Sequence, residues 1–338
     1  MAWLVTVLLV VIGVLLGLLL FVFLVHLISP YPGAWLVKSV FDRPYPIGQQ
    51  IEYAEAREQV EVLIDNDYSS KYRRNQYDIY YPKQHAGPLP VVIWVHGGGF
   101  VGGDKSQLKE FGTNLASKAQ VAVVTLNYSL APRAVYPQQL EQLDEAYRYL
   151  LKNTTLLETL DFTRVMFGGD SAGAQIAAQY VAVQTNPAYA REMSLTPAVN
   201  VDSLKGFMSY CGALDLKQML TQPSNKPVVS FLYTTIARSL IGTRHWKERP
   251  ELKQASIVDD VTERFPPSFI TDGNTYSFET QGQAFVERLE ELKVPVTSLF
   301  FTNDNKQIIH EYQFMYDTPE GQLCLLETVQ FIRQSLML

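Results

Sequence analysis

The sequence predicts an α/β protein, with a mainly parallel sheet covered by helices on both faces. Three observations carry this. Short apolar runs at Val91–Val95, Val121–Leu126, Val165–Phe167, Gly206–Tyr210, Ser268–Ile270 and Val296–Phe301 alternate with longer stretches of helical pattern. The run Val165-Met166-Phe167 passes through Gly169-Asp170-Ser171-Ala172-Gly173 into Gln175-Ile176-Ala177-Ala178, so strand, tight turn and helix follow one another directly. The run Val91–Val95 enters His96-Gly97-Gly98-Gly99-Phe100, a glycine-rich loop well upstream of that turn.

The chain opens on an apolar segment, and Met1 to Val25 carries no charged side chain. About 24 such residues in a helix rise roughly 36 Å, enough to cross a hydrocarbon layer of ~30 Å. A cleaved signal sequence would want a basic start, a shorter apolar core and a small-x-small cleavage site, and none is visible. Residues 1–28 are therefore read as a transmembrane anchor. Ser29-Pro30-Tyr31-Pro32-Gly33 ends it, because proline lacks a backbone donor and disfavours helical dihedrals in the residue before it. Residues 29–57 are read as a juxtamembrane or cap segment. Within it Ala34–Val37 and Val40-Phe41 form a short apolar helix, with Trp35 suited to the membrane interface or to a cover over the site.

The catalytic domain is read as 58–338. It starts with antiparallel strands at Val60–Ile64 and Gln76–Tyr81, and the six apolar runs supply the parallel part. The longest stretch without a strand, about 216–265, is read as a cap insertion carrying Val228–Tyr233 and Ile236-Ala237. Ser268–Ile270 is the strand before a helix at Gln281–Leu289.

A serine at a strand–turn–helix junction is held off the sheet edge, and the helix N-terminus behind it favours negative charge. Acyl transfer creates such charge on an oxygen, and glycines let backbone N–H groups approach it closely. Through His96-Gly97-Gly98-Gly99, Gly169-Asp170-Ser171-Ala172-Gly173 and Asn127-Tyr128-Ser129-Leu130-Ala131-Pro132, the chain resembles the hormone-sensitive-lipase-like carboxylesterase branch of the α/β-hydrolase family. The resemblance runs from about Tyr77 to the C-terminus. It implies an α/β-hydrolase fold with a cap, and an oxyanion hole made by the amides of Gly98, Gly99 and Ala172. It also makes His96 a loop-shaping residue. Gly-Asp-Ser occurs in chymotrypsin-like proteases as well, but those place histidine and aspartate before the serine on an all-β scaffold.

Two histidines follow Ser171, His245 and His310. His245 lies in a polar stretch with no strand before it. His310 follows Val296–Phe301 by one polar loop, where this fold presents its base, and is expected to take the Ser171 proton. The acid departs from the family pattern. An ungapped comparison puts Tyr276 where the family carries aspartate, and a phenol supplies no carboxylate at neutral pH. Asp272, at the end of the strand, is the expected acid. Glu279 is the alternative, and Asp304 and Asp215 are more distant options.

The net charge of −6 and 18% charged residues lack the basic face that nucleic acid requires. Cys211 and Cys324 stand far apart and read as buried free thiols. There is no H-E-x-x-H or clustered cysteine–histidine spacing, and Gly97-Gly98-Gly99 lacks a following Gly-Lys-Ser/Thr, so neither a metal nor any other cofactor is expected. Lys38 and Arg43 against Asp42 lean toward a cytoplasmic catalytic domain. The expected protein is a membrane-anchored serine hydrolase cleaving carboxylic esters through an acyl-enzyme on Ser171. An amidase or formamidase using the same residues, or a non-catalytic hydrolase-fold binding protein, are the alternatives. Its partners would be an uncharged small ester or lipid, and the membrane.

Overall fold

The computed structural model describes residues 2–221, 226–302 and 305–338. Among them eight strands form one sheet in the order β1-β2-β4-β3-β5-β6-β7-β8. These are β1 (Val60–Asp67), β2 (Gln76–Pro82), β3 (Leu89–Val95), β4 (Ala122–Leu126), β5 (Leu160–Asp170), β6 (Leu204–Tyr210), β7 (Ser268–Thr271) and β8 (Val296–Leu299). β2 runs antiparallel to both β1 and β4, and every other pairing is parallel.

Successive residues of a strand face opposite sides of its sheet, and the central strands are apolar on both. Val91, Ile93 and Val95 of β3 join one buried cluster, while Val92 and Trp94 join the other. β5 divides in the same way, with Val165 and Phe167 on one side and Met166 opposite. Such strands need helices on both faces.

The helices before Ser171 are α1 (Ala2–Ile28), α2 (Tyr31–Phe41), α3 (Gln50–Gln59), α4 (Lys109–Ala119), α5 (Gln138–Lys152) and α6 (Thr154–Leu157). After it come α7 (Ala172–Thr185), α8 (Pro187–Glu192), α9 (Leu216–Thr221), α10 (Pro227–Ile241), α11 (Glu251–Gln254), α12 (Glu279–Glu291) and α13 (Pro319–Leu336). Phe111 and Leu115 of α4 and Phe331 and Ile332 of α13 cover the Trp94 side. Leu143 and Tyr147 of α5, with Ile176 and Val181 of α7, cover the other. Trp94 is fully buried, with its ring 4.3 Å from Phe111 and 4.8 Å from Tyr210. Burying a large apolar side chain of this kind contributes about 1.5–3 kcal/mol.

The sheet differs from the sequence expectation at its edge. β8 ends at Leu299 rather than Phe301, and Thr297 and Ser298 are exposed, so this strand is not a buried run. It pairs only with β7 and forms the rim. β5 begins earlier than expected, because Leu160 and Asp161 pair with Leu89 and Pro90 before a register shift.

At the N-terminus α1 contains a 19-residue stretch, Trp3–Phe21, of mean hydropathy 3.2 with none of it buried, long and apolar enough to cross a membrane. It stops at Ile28, and α2 begins at Tyr31 with proline in its first turn. α2 buries Ala34 and Val37 against the body. Asp42, which follows it, accepts the Gly103 amide at 3.0 Å, and Gln107 Nε2 donates to the carbonyls of Phe41 and Arg43. The segment after α1 is thus fastened to the glycine-rich loop. Between β6 and β7 the described residues hold α9, α10, α11 and short 3-10 turns, without a sheet strand.

Candidate active site

Ser171 sits at the junction of β5 and α7 with φ 50° and ψ −114°. A non-glycine residue held there costs about 1–3 kcal/mol of strain. Its neighbours explain how the turn closes. A Cβ on Gly169 would stand 2.4 Å from the Gly173 carbonyl carbon, and one on Gly173 would stand 2.0 Å from the Val95 oxygen. Only glycine fits at either place. The Ser171 amide donates to the Tyr210 carbonyl at 2.8 Å, which fixes the turn to β6.

His310 Nε2 lies 3.0 Å from Ser171 Oγ, across 139 residues of sequence. Its backbone amide donates to the Thr275 carbonyl at 3.1 Å, and the Phe278 ring meets the imidazole edge-on at 5.1 Å. Asp272 follows β7 directly and is buried. Its Oδ1 stands 3.7 Å from His310 Nδ1, an ion-pair distance rather than a hydrogen bond. Burial pushes the imidazole pKa down, and the carboxylates of Asp272, Glu311 and Asp170 more than offset this, so the net shift is upward.

The other expected acids lie elsewhere. Tyr276 is 66% exposed at φ 54°, with the Lys226 ammonium 4.3 Å from its ring centroid. Glu279 opens α12 and accepts from Gln283 Nε2 at 3.4 Å. Asp215 Oδ1 accepts the Gln218 amide at 2.9 Å at the start of α9. Asp304 falls outside the described residues. Among described carboxylates, His310 meets those of Asp272 and Glu311. His245 is exposed. His96 is buried and stacked on Tyr128, with Nδ1 2.7 Å from the Gly97 oxygen, and burial pushes its pKa down to about 4.

The glycine-rich loop turns through Gly98 at φ 104° and Gly99 at φ 58°. Among the described residues the N–H groups of Gly98, Gly99 and Ala172 donate to no acceptor, and all three residues line the cavity in front of Ser171. The loop is held from below by Asp170. Its Oδ2 accepts the Gly97 amide at 2.6 Å and its Oδ1 accepts Trp94 Nε1 at 2.8 Å. Burial raises this carboxyl above the usual range, against the pull of both donors.

Sequence reasoning missed Glu311. It adopts φ 66°, and its Oε1 lies 3.8 Å from His310 Nε2 while its buried Oε2 has no partner among the described residues. Burial, then the nearby Asp170 charge, push its pKa up to about 8. The charge of Glu311 in turn is the largest influence raising the Tyr45 phenol, which lines the same cavity. Adjacency to His310 was the one available signal. Cys211, His310 and Glu311 also offer ligand atoms within 4.8 Å of one another. His310 is turned to Ser171, however, and burial pushes the Cys211 thiol up, which disfavours the thiolate a metal would need.

The cavity measures about 1180 Å³. Phe41 from α2, Met219 from α9, and Val228, Leu232, Tyr233 and Ile236 from α10 give it apolar walls. The polar groups converge at its floor: a hydroxyl, an imidazole and three unused amide donors. Such a set suits attack on a carbonyl carbon with charge gathering on its oxygen.

The alpha/beta hydrolase fold family model matches residues 92–312, more than half of the chain. An esterase of Gibberella moniliformis is 27% identical over 210 residues, 61% of this chain and 63% of that protein. Mouse hormone-sensitive lipase is 34% identical over 97 residues, 28% of this chain and 13% of the lipase. The chain spans less than two thirds of the length of these curated relatives. Among solved structures, Esterase B from Lactobacillus rhamnosis superposes with a TM-score of 0.69 at 20% identity, covering 85% of this chain and 90% of the esterase. The esterase of the archaeon Pyrobaculum calidifontis gives a TM-score of 0.65 at 19% identity, covering 89% of this chain and 93% of its own. At such identities the likeness is one of fold. With its sheet order, its strained serine turn and the match over residues 92–312, the chain belongs to the α/β-hydrolase fold family.

Proposed function

We propose that this protein is a membrane-anchored serine hydrolase that cleaves carboxylic esters through an acyl-enzyme on Ser171. The observation that carries the reading is the 3.0 Å approach of His310 Nε2 to Ser171 Oγ beside the unused amides of Gly98, Gly99 and Ala172. Relatives named as esterases support the choice of bond.

In this reading His310 Nε2 takes the hydroxyl proton as Ser171 Oγ attacks the ester carbonyl. The three amides receive the oxyanion. His310 returns the proton to the departing alkoxide, leaving an acylated serine and a free alcohol. Water, deprotonated by the same imidazole, then releases the acid and restores Ser171. Asp272 holds the imidazole and balances its transient positive charge. The cap is α9, α10 and the turns up to β7, with α10 as its inner wall. Segment 29–57 contributes Phe41, and α1 anchors the whole in a bilayer.

The test uses the full chain in detergent with a fluorophosphonate probe and p-nitrophenyl esters of increasing acyl length. The wild type should be labelled and turn over, and Ser171→Ala should do neither, losing on the order of 10⁶ in rate. Turnover that survives Ser171→Ala would overturn the acyl-enzyme. Resistance to alkaline carbonate extraction tests the anchor separately.

A further inference from the structure

A second cavity, of about 750 Å³, lies beside the anchor and apart from Ser171. One wall is a single face of α2, formed by Tyr31, Ala34, Trp35 and Lys38, which the helical repeat places in a row. The opposite wall comes from the loop before β2 and the loop after β4. Five cations line it, Lys38, Lys71, Arg73, Arg74 and Arg133, and no carboxylate does.

Three of these cations have acidic partners behind them. Lys38 pairs with Asp42 at 2.6 Å, Lys71 with Glu141 at 2.9 Å and Arg74 with Asp104 at 3.1 Å. The other two do not. Arg73 and Arg133 are exposed, and among the described residues neither guanidinium has a hydrogen bond or an ion pair. The scaffold beneath them is fixed, because the Arg73 carbonyl accepts from Ser129 Oγ at 2.5 Å and from Gln142 Nε2 at 2.9 Å. Two free guanidiniums on a rigid frame suit bidentate recognition of a phosphate.

Position selects the source of that phosphate. α2 starts three residues beyond the end of α1, and Lys38 lies only about 10 Å further along the helix. A headgroup layer is roughly 5–7 Å deep on each side of the hydrocarbon, so Tyr31, Ala34 and Trp35, within about 6 Å of the start of α2, fall at that depth and Lys38 at its outer edge. Trp35, 72% exposed on the same wall, is the residue type that settles at this depth. We infer that this pocket binds the anionic headgroup of a phospholipid in the membrane that holds α1. The inference rests on the reading of α1 as an anchor, and is independent of the chemistry at Ser171.

The experiment titrates the full chain, in a neutral detergent, with a short-chain diether phosphatidylglycerol that no esterase can cleave. Diether phosphatidylcholine, inorganic phosphate and a hexaglutamate peptide are titrated in parallel, with binding read by calorimetry. Phosphatidylglycerol should bind, and phosphatidylcholine should not. The double variant Arg73→Gln/Arg133→Gln, whose lost groups make no hydrogen bond or ion pair among the described residues, should bind it about 30-fold more weakly, as expected for two juxtamembrane cations. Its turnover of p-nitrophenyl acetate should be unchanged. Equal binding of the two lipids, or full affinity in the double variant, would overturn the inference. So would phosphate alone binding as tightly as the lipid, which would make this a soluble-anion site, or preference for hexaglutamate, which would make it a protein-docking site. Failure of α1 to resist carbonate extraction would remove the anchor reading itself, and is distinguished by being measured without any lipid titration.

Discussion

Asp272 faces His310 across 3.7 Å while both its oxygens are held by backbone, Oδ1 by the Gly273 amide and Oδ2 by the Phe278 amide, each at 2.7 Å. The carboxylate is therefore placed by the β7–α12 turn rather than by the histidine it faces. In Asp272→Asn one of those amides would confront an NH₂ group, and the imidazolium would lose its nearest full charge. We expect kcat to fall by more than about 10², approaching the ~10⁴ known for a serine protease triad. Glu279→Gln, which changes a group bonded to Gln283, should stay within about threefold of wild type, as surface changes away from a reacting centre do. Steady-state rates on p-nitrophenyl butyrate decide it, and the opposite ranking rejects Asp272.

The pH profile follows from the charges around His310. Burial lowers its pKa, but Asp272, Glu311 and Asp170 together raise it above the usual imidazole value. The imidazole must be neutral to accept the Ser171 proton, so activity requires pH above that raised pKa. The rate should climb with pH through a midpoint above 6.5, the ordinary value. Asp272→Asn removes the largest raising influence and should move the midpoint downward. A profile flat from about pH 6 to about pH 9 would take the base role away from His310.

Much of this architecture was legible because it depends on local pattern. Val91–Val95 is apolar at every position, so a strand buried on both faces was the natural reading, and Gly169 and Gly173 flank the serine where a side chain would collide with backbone. The proposed acid was harder to read. Counting residues leads to Tyr276, but the carboxylate's place depends on where β7 stops and how its turn is closed by Gly273 and Phe278. β8 looked buried because sequence records apolarity and not position at a rim. Glu311 had no periodicity to betray it, since its burial arises from packing under Gly97 and beside Cys211, both remote in sequence.

Asp170 supports the glycine-rich loop through the Gly97 amide and the sheet through Trp94. Asparagine has one acceptor for those two donors, and its NH₂ would point at the other. Leaving a buried donor without an acceptor costs about 1–3 kcal/mol. Asp170→Asn should therefore lower Tm by several degrees. Because Gly97 leads into Gly98 and Gly99, kcat should fall more than KM rises. Thermal melting and ester kinetics report the two effects separately, and a Tm within about 1 °C of wild type would exclude the supporting role.

Glu311 makes a prediction of a different kind, in the pH dependence of stability. In the folded protein its pKa is raised from 4.5 to about 8, burial being the main cause. Below pH 4.5 the side chain is protonated whether the chain is folded or not, and it exacts no ionisation penalty. As pH rises from there the unfolded chain releases its proton while the folded one keeps it, which favours unfolding progressively. Above about 8 the folded carboxyl ionises too, and the penalty levels off. Glutamine has the same shape and no proton to lose. The Tm of Glu311→Gln relative to wild type should thus increase steadily between those two values and then become constant. A pH-independent difference would mean that Glu311 titrates as a solvated carboxylate, which its unpartnered buried oxygen argues against.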